Sequence, residues 1–315
     1  MKQKGKHNSK LIVLGKNIKK HWQLYLLILP AIINFAFHHY GPMYGIQIAF
    51  REYRPKYGIS GSEWVGLKHF VDFITDPKFG EIFLNTIAVS LYNLITFPLP
   101  IILALVLNCM RSKRYRGVIQ NVVYLPHFIS ITVLVGIIQM VLSPVCGLYG
   151  TFYRLFGGEG FPTDIRALAE SFRHIYVWSG AWQSIGWGSI LYTSALSAVS
   201  PELHEAAKID GASRFKRIFY IDIPAIAPTI AIMLIMRVGS LVSAGFDKTY
   251  LLQSKLNLGV SEVISTYVYK KGLGSIYTYS YGTAISLFNT IINVLLMVLA
   301  NTICKKLTDG EVSYF

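Results

Sequence analysis

The stretch that decides the fold spans residues 200–224 and reads SPELHEAAKIDGASRFKRIFYIDIP. It carries too many charged residues to cross a lipid bilayer. A serine cap, a proline at the first helical position and an acid in the first turn predict a helix that begins just after Ser200. Asp210 and Gly211 predict the end of that helix. A second short helix should begin near Ser213 and run to Pro224, which makes the stretch a helix, turn, helix unit.

Long apolar segments flank this unit on both sides. The chain has 315 residues, of which 53% are hydrophobic and 15% charged, and its mean hydropathy is +0.44. This composition excludes most soluble enzymes. A spanning helix needs about 20 apolar residues. Six segments reach that length: 22–46, 82–108, 118–142, 173–196, 222–246 and 280–304. We therefore predict an all-α membrane protein with six transmembrane helices.

The charges between these segments predict their orientation. Residues 1–21 hold seven lysines and no acid, and the loop 109–117 holds four basic residues and no acid. Basic loops lie in the cytoplasm. Segments 47–81 and 143–173 hold equal numbers of acidic and basic residues, which is typical of the outside. The unit quoted above and both termini are then cytoplasmic, and a basic tail precedes a membrane domain of residues 22–315.

Several functions are excluded by what the sequence contains. The formal net charge of +14 comes largely from basic residues beside the apolar segments, so it indicates orientation and no nucleic-acid partner. Cys109, Cys146 and Cys304 are widely spaced, which is typical of free thiols. The sequence has no phosphate-binding G-x-x-x-x-G-K-[ST] motif and no protease or hydrolase motif. We therefore expect a chain that is no enzyme and binds no metal or cofactor itself.

The quoted unit also carries a spaced motif. Its elements are Glu205-Ala206-Ala207, then Gly211 after three residues, Ile221 after nine, and Ile223-Pro224 after one. This motif resembles the EAA loop of ATP-binding-cassette (ABC) importer permeases. The resemblance implies a coupling helix that sits in a cleft of a cytoplasmic ATPase and transmits its closure to the membrane helices. The coupling residues would be Glu205, Ala206, Ala207, Asp210 and Gly211. The alternative is an interfacial amphipathic helix without a partner.

Two further stretches narrow the family. Residues 124–130 (YLPHFIS) and 246–252 (FDKTYLL), together with the six-span size, resemble maltose-type sugar permeases, in particular a subgroup for polysaccharide or lipopolysaccharide-like substrates. This resemblance implies the type I (MetI-like) importer fold in the cell membrane, in contact with lipid. It implies a heterodimer with a second permease subunit, two cytoplasmic subunits that bind ATP and Mg, an extracellular solute-binding protein, and an oligosaccharide substrate.

Polar residues inside the predicted spans are candidates for the substrate pathway. Arg237 stands well inside the fifth span, where a charge costs ~2.5 kcal/mol or more unless it faces protein, water or ligand. Polar and aromatic residues accompany it in three spans. The candidates are Arg237, Ser240, Ser243, Ser286, Asn289, Asn293, Trp182 and Gln183. The alternatives are a structural ion pair or carbonyl clamp for the arginine, helix contacts for the serines and asparagines, and an interfacial aromatic belt for the tryptophan.

Three other functional classes compete with an oligosaccharide permease. A permease for an amino acid, a peptide or phosphate would use the same machinery, and the sugar-permease-like stretches argue against it. An ion-coupled secondary transporter would need acids inside the membrane, and no Asp or Glu stands centrally in any predicted span. A membrane enzyme or scaffold would predict reactive clusters or large soluble appendages, which the sequence does not contain.

Overall fold

Helices form most of the structure. The computed structural model describes residues 20–243, 245–272 and 279–307, so most of the basic tail predicted at 1–21 lies outside the described residues. The helices are α1 (Trp22–Phe50), α2 (Lys68–Ile74), α3 (Phe79–Asn108), α4 (Lys113–Phe128), α5 (Ile131–Val141), α6 (Leu148–Leu155), α7 (Ala169–Ser197), α8 (Pro201–Ile209), α9 (Arg214–Gly239), α10 (Phe246–Leu252), α11 (Ile264–Gly272) and α12 (Tyr279–Leu307). Short helical turns lie at Pro55–Tyr57, Gly58–Gly61 and Leu258–Ser261. Strands β1 (Arg51–Glu52) and β2 (Glu63–Trp64) form a small antiparallel pair.

Four of the described helices are long and apolar enough to cross a membrane, namely α1, α3, α9 and α12. The bent pair α4 and α5 would make a fifth span. Helix α7 covers the fourth predicted span and has 29 residues, but its tryptophans, serines, glycines and charged residues lower its apolarity. The predicted all-α membrane architecture is therefore confirmed, and the count of six spans stays a prediction.

The third predicted span, 118–142, is two helices instead of one. Helices α4 and α5 are bent by 99° relative to each other. The chain leaves the helical conformation at Ile129, three residues after Pro126, and Ser130 caps the first turn of α5. The side chain of Gln183 on α7 donates a hydrogen bond of 2.7 Å to the freed carbonyl of Ile129. A polar contact from another helix thus stabilises the break at a point where the apolar pattern continues.

Helix α9 differs from its prediction at both ends. The sequence predicts a short second helix that stops at Pro224, but the helix continues from Arg214 to Gly239. A π-helical turn at Ile218–Asp222 precedes the proline and removes the clash that its ring would make in a regular helix. At the other end the helix stops at Gly239, seven residues before the predicted limit of the fifth span.

Buried side chains join the helices in separate clusters. One cluster connects α2, α3, α11 and α12 with the segment after α9, and consists of Phe73, Ile82, Val242, Ile264, Tyr267 and Ile285. Another connects α3, α7 and α9, and consists of Ile101, Ala104, Leu105, Tyr192, Leu196 and Ile226. Gly186 of α7 lies directly against the backbone of Val123, where any side chain would clash. Helix α7 therefore packs closely on α4 as well as on α3.

A carboxylate outside the spans anchors α11 and α12. Asp76 accepts hydrogen bonds from Tyr267 at 2.6 Å and from Tyr281 at 3.3 Å. Burial raises the pKa of the Asp76 carboxyl, but these two bonds and one from the Lys78 amide outweigh it and hold the pKa below its ordinary value. A depressed carboxyl pKa stabilises the fold above the unfolded-state pKa, and this contribution is lost as the pH falls through the folded-state pKa.

Replacing this carboxylate should destabilise the protein at neutral pH. We expect Asp76→Asn to lower the melting temperature of the detergent-solubilised protein by about 3 °C, because a charged acceptor becomes a neutral one at a cost of about 1 kcal/mol. The difference from the unmodified protein should vanish once the pH is low enough to protonate Asp76. Asp72→Asn is the matched control, since Asp72 is exposed on α2. An equal loss in both variants, or a difference that persists in acid, would contradict this assignment.

Candidate coupling loop and polar cavity

The coupling loop, residues 200–224, begins with a helix whose limits match its prediction. The hydroxyl of Ser200 accepts a hydrogen bond from the Glu202 amide at 3.3 Å, and α8 follows directly. The Ala212 amide donates to the Ala207 carbonyl at 2.8 Å and closes the turn after α8. Gly211 occupies this turn with a φ of +74°, a conformation that residues with a side chain rarely adopt. The cap and the turn residues predicted from sequence are confirmed.

Helix α8 offers most of its surface to another molecule. It contains no buried residue, and Glu205 makes no hydrogen bond or ion pair with its side chain in the described part of the chain. Two large apolar side chains are exposed, Ile209 at the end of α8 by 87% and Phe215 in the segment that follows by 74%. Ile209 and Phe215 both lie between the fourth and fifth predicted spans, 173–196 and 222–246, so contact with lipid tails does not explain their exposure. Large apolar side chains exposed outside the membrane mark a candidate docking surface for another protein.

A polar cavity of about 90 Å³ lies between α3, α7 and the end of α9. Three of the predicted pathway residues line it, Arg237, Ser240 and Ser243. The other lining residues are Val89, Ser90, Asn93, Tyr176, Leu241 and Gly245. The end of α9 and the non-helical segment after it therefore form one wall of the cavity, and hydroxyl, amide and guanidinium groups meet there.

The fifth predicted span stops being helical at Gly239, and side chains from other helices stabilise the non-helical segment that follows. Asn293 of α12 accepts a hydrogen bond from the Val242 amide at 3.0 Å and donates one to the Ser243 hydroxyl at 2.8 Å. The Gly245 amide donates to the Tyr176 hydroxyl at 3.1 Å. Irregular backbone between membrane helices is tolerated where it lines a cavity and its polar groups find partners. The predicted pathway residue Asn293 therefore lies next to the cavity and fixes its wall.

Arg237 is a cation without a paired carboxylate among the described residues. Its Nη2 donates to the Asn93 carbonyl at 3.4 Å, and no ion pair within the described ranges includes it. A guanidinium carries five N–H donors, so one long hydrogen bond leaves most of them free. The side chain is half-buried and lines the polar cavity. It can therefore offer a fork of donors and a positive charge to an anionic group in the cavity.

Comparisons with known proteins identify the family of this chain. The family described as "binding-protein-dependent transport system inner membrane component" matches residues 96–305, more than half of the chain. The chain belongs to this family. The permease is 41% identical to the polygalacturonan/rhamnogalacturonan transport system permease protein YteP of Bacillus subtilis (strain 168), over 90% of this chain and 88% of that protein. It is 39% identical to protein LplB of the same organism, over 96% of both chains.

Solved structures resemble the permease closely. A crystal structure of a bacterial ABC transporter involved in import of the acidic polysaccharide alginate contains a chain 37% identical to it, with a TM-score of 0.83, covering 94% of this chain and 99% of that one. A second structure of a bacterial alginate transporter, in complex with a periplasmic protein that holds an alginate pentasaccharide, gives 36% identity and a TM-score of 0.83 over 95% and 98% of the two chains. The predicted MetI-like importer fold and the function of a carbohydrate-type ABC permease are confirmed.

The other predicted pathway residues lie away from the polar cavity of the permease. Gln183 donates its side-chain hydrogen bond to the Ile129 carbonyl and not to the cavity. Trp182 is 51% exposed and lines none of the described cavities. Ser286 lines a separate cavity of about 400 Å³ that Phe246 and Tyr269 also line. The side-chain oxygen of Asn289 is buried and has no hydrogen-bond partner among the described residues.

Sequence reasoning missed the cavity residues of α3 and α7. Ser90 and Asn93 stand three residues apart in an apolar span, so they share one helix face, and this spacing was a usable signal. Tyr176 gave no comparable signal, because a single aromatic residue near a span end has many uses. A buried lysine, Lys248, donates to the Tyr176 carbonyl at 2.6 Å and supports the same wall. Its position on α10 depends on the break in the fifth span, which the sequence does not indicate.

Proposed function

We propose that the permease forms half of the translocation pathway of an ATP-driven importer for acidic oligosaccharides, such as chains of uronic acid. Arg237 carries this proposal, since it is a half-buried cation that faces a polar cavity and has no carboxylate partner in the described chain. The named relatives support it, because polygalacturonan, rhamnogalacturonan and alginate all contain acidic sugars or are described as acidic.

The cavity groups suit a uronic sugar in their chemistry. A guanidinium binds a carboxylate through two parallel hydrogen bonds, and the hydroxyls of Ser240 and Ser243 can bond sugar hydroxyls. At about 90 Å³ the cavity is far smaller than the ~300–1,000 Å³ of small-molecule sites. A sugar therefore passes only when the pathway opens, and a companion permease supplies the facing wall.

The remaining partners follow from the importer architecture. A second permease subunit completes the pathway as a heterodimer, two cytoplasmic subunits bind ATP and Mg, and an extracellular protein delivers the oligosaccharide. The similarity to a structure with a bound periplasmic protein supports the last of these. In this mechanism, closure of the ATPase subunits pulls α8 inward and rotates the spans from inward-facing to outward-facing. Both termini lie in the cytoplasm.

Uptake measurements test this proposal. Cells with and without the permease receive labelled neutral and uronic oligosaccharides of equal length, and ATP-dependent uptake is recorded. We expect deletion to remove uptake of the uronic series and to leave uptake of neutral oligosaccharides unchanged. Only a carboxylate offsets the free-energy cost of desolvating Arg237.

Two other outcomes would contradict the proposal. Loss of neutral uptake alone would make Arg237 a structural residue. Unchanged uptake of both series would point to another solute of the same machinery. Glycerol 3-phosphate is then the first anion to test, because the permease is also 26% identical to sn-glycerol-3-phosphate permeases named UgpA, over 94% of this chain in the Escherichia coli O6:K15:H31 (strain 536 / UPEC) protein.

A further inference from the structure

A buried carboxylate lies where the coupling loop enters the membrane domain. Asp222 is 3% exposed and ends the π-helical turn of α9. Nε2 of His204, on α8, lies 3.3 Å from Asp222 Oδ1. Both neutral and protonated imidazole can present an N–H to a carboxylate at this nitrogen. The two side chains therefore connect α8 directly to α9 across the turn between them.

The contact between His204 and Asp222 is a polar link between α8 and the membrane helices. Across residues 20–243, 245–272 and 279–307, His204 is the one side chain of α8 that lies within ion-pair distance of a charged side chain on another helix. Arg217 lies close enough to attract the Asp222 carboxylate, but within the described residues the two form no ion pair. The chain also connects α8 to α9 through the exposed turn at Gly211.

Beyond Asp222, helix α9 enters the packed interior of the membrane domain. Four residues after Asp222, one helical turn on, Ile226 is completely buried in the cluster that joins α3, α7 and α9. A displacement of Asp222 is thus passed to three helices at once, since packed cores move as units. The π-helical turn provides the local adjustment, as such turns often do at functional sites.

We propose that His204 and Asp222 form a positioning strut that carries the movement of α8 into the membrane helices. Asp222 Oδ1 is buried, and His204 Nε2, at 3.3 Å, is the polar group of α8 that lies next to it. A buried carboxylate is costly unless a donor or a cation faces it, so the fold is stabilised while His204 stays close to Asp222. This inference rests on the proposed docking of α8 on an ATPase.

Transport per ATP hydrolysed is the measurement that tests the strut. The complex is purified with its own ATPase subunits, reconstituted into liposomes, and assayed for oligosaccharide uptake and for ATP hydrolysis. We expect Asp222→Asn and His204→Phe to retain ATPase co-purification and hydrolysis while uptake per ATP falls about fivefold. The exchange variant His204→Asp/Asp222→His should recover part of the loss. Lys305→Gln, which removes an exposed charge from α12 instead of from the docking helix, should behave as the unmodified protein.

A second readout needs neither substrate nor ATPase. The full-length permease in detergent is digested with trypsin, and cleavage after Lys208 is followed over time. Loosening of α8 in Asp222→Asn should raise this cleavage rate severalfold, because the opened population is what the protease reaches. Unchanged cleavage together with an unchanged uptake per ATP would overturn the strut. Loss of ATPase co-purification in both single variants without recovery in the exchange would also overturn it, in favour of a folding role.

If the unmodified complex imports no oligosaccharide, the proposed function fails, but the trypsin cleavage still tests the strut. Faster cleavage of Asp222→Asn and its reversal in the exchange variant would then support the contact between α8 and α9. Equal cleavage in all variants would reject the contact as well.

Discussion

Reversing the charge of Glu205 should nearly abolish ATP-driven uptake while the permease still inserts and folds. Glu205 is exposed on α8 and its side chain has no hydrogen bond or ion pair within the described residues, so its removal costs the isolated permease little. In a protein interface, a central charged residue is a candidate hot spot worth about 2 kcal/mol or more. We therefore expect Glu205→Arg to lower uptake at least about thirtyfold.

The size of the effect depends on repulsion as well as on the lost contact. A partner group that pairs with a carboxylate becomes a like-charge neighbour of the introduced arginine, which adds a penalty of several kcal/mol at a desolvated interface. Glu205→Gln keeps the shape and loses only the charge, so its loss should be smaller than that of Glu205→Arg. Co-purification of the ATPase subunits with the tagged permease measures the docking itself.

The same helix provides the control. Glu202 is exposed in the first turn of α8, where its charge complements the helix dipole by about 0.3–1 kcal/mol. Glu202→Gln should therefore leave both uptake and co-purification nearly unchanged. Normal uptake in Glu205→Arg would contradict the docking assignment and favour the alternative of an interfacial helix without a partner.

The coupling loop was predictable because its signals are local. A serine cap, a proline at the first helical position and a glycine with positive φ act within a few residues, so the sequence window contains both the group and its partner. The end of α8 at Ile209 and its turn at Gly211 follow from those groups alone. The same holds for the apolar segments that become α3, α9 and α12, since their length and composition are properties of one continuous segment.

The breaks in the spans could not be predicted for the opposite reason. The bend at Ile129 is stabilised by Gln183, and the open segment at Val242 is stabilised by Asn293, each more than fifty residues away in sequence. The hydropathy of a segment indicates that the segment prefers lipid or protein to water. It does not indicate the residue at which the helix ends. A carbonyl freed inside an apolar segment is satisfied only by a partner that the fold brings close.

The candidate site was partly predictable for the same physical reason. Arg237 stood out because a cation in an apolar segment is costly wherever the chain folds. Ser240 and Ser243 were placed near it on the assumption of a continuous helix, and they reach the cavity through the chain that follows Gly239 instead. Which face of α7 meets the cavity depends on tertiary packing, which places Tyr176 there and leaves Trp182 outside.

Replacing Arg237 should remove uptake of uronic oligosaccharides selectively. The guanidinium has one long hydrogen bond to the Asn93 carbonyl, so most of its donors remain for a ligand. Hydrogen bonds to charged groups contribute about 1.5–3 kcal/mol each when formed in a dry site. We therefore expect Arg237→Gln to lower the uptake of labelled uronic oligosaccharide at least about tenfold. Arg237→Lys keeps the charge but loses the planar fork, so it should be intermediate.

A second half-buried arginine separates this effect from a structural one. Arg173 of α7 donates to the Asn85 side chain at 3.0 Å and lies outside the polar cavity. Arg173→Gln should lower the melting temperature without changing the ratio of uronic to neutral uptake, whereas Arg237→Gln should change that ratio with little thermal cost. If Arg237→Gln instead lowers the melting temperature and leaves the ratio intact, the arginine is a clamp on the α3 backbone. The anionic group that enters the pathway must then be recognised by the companion permease.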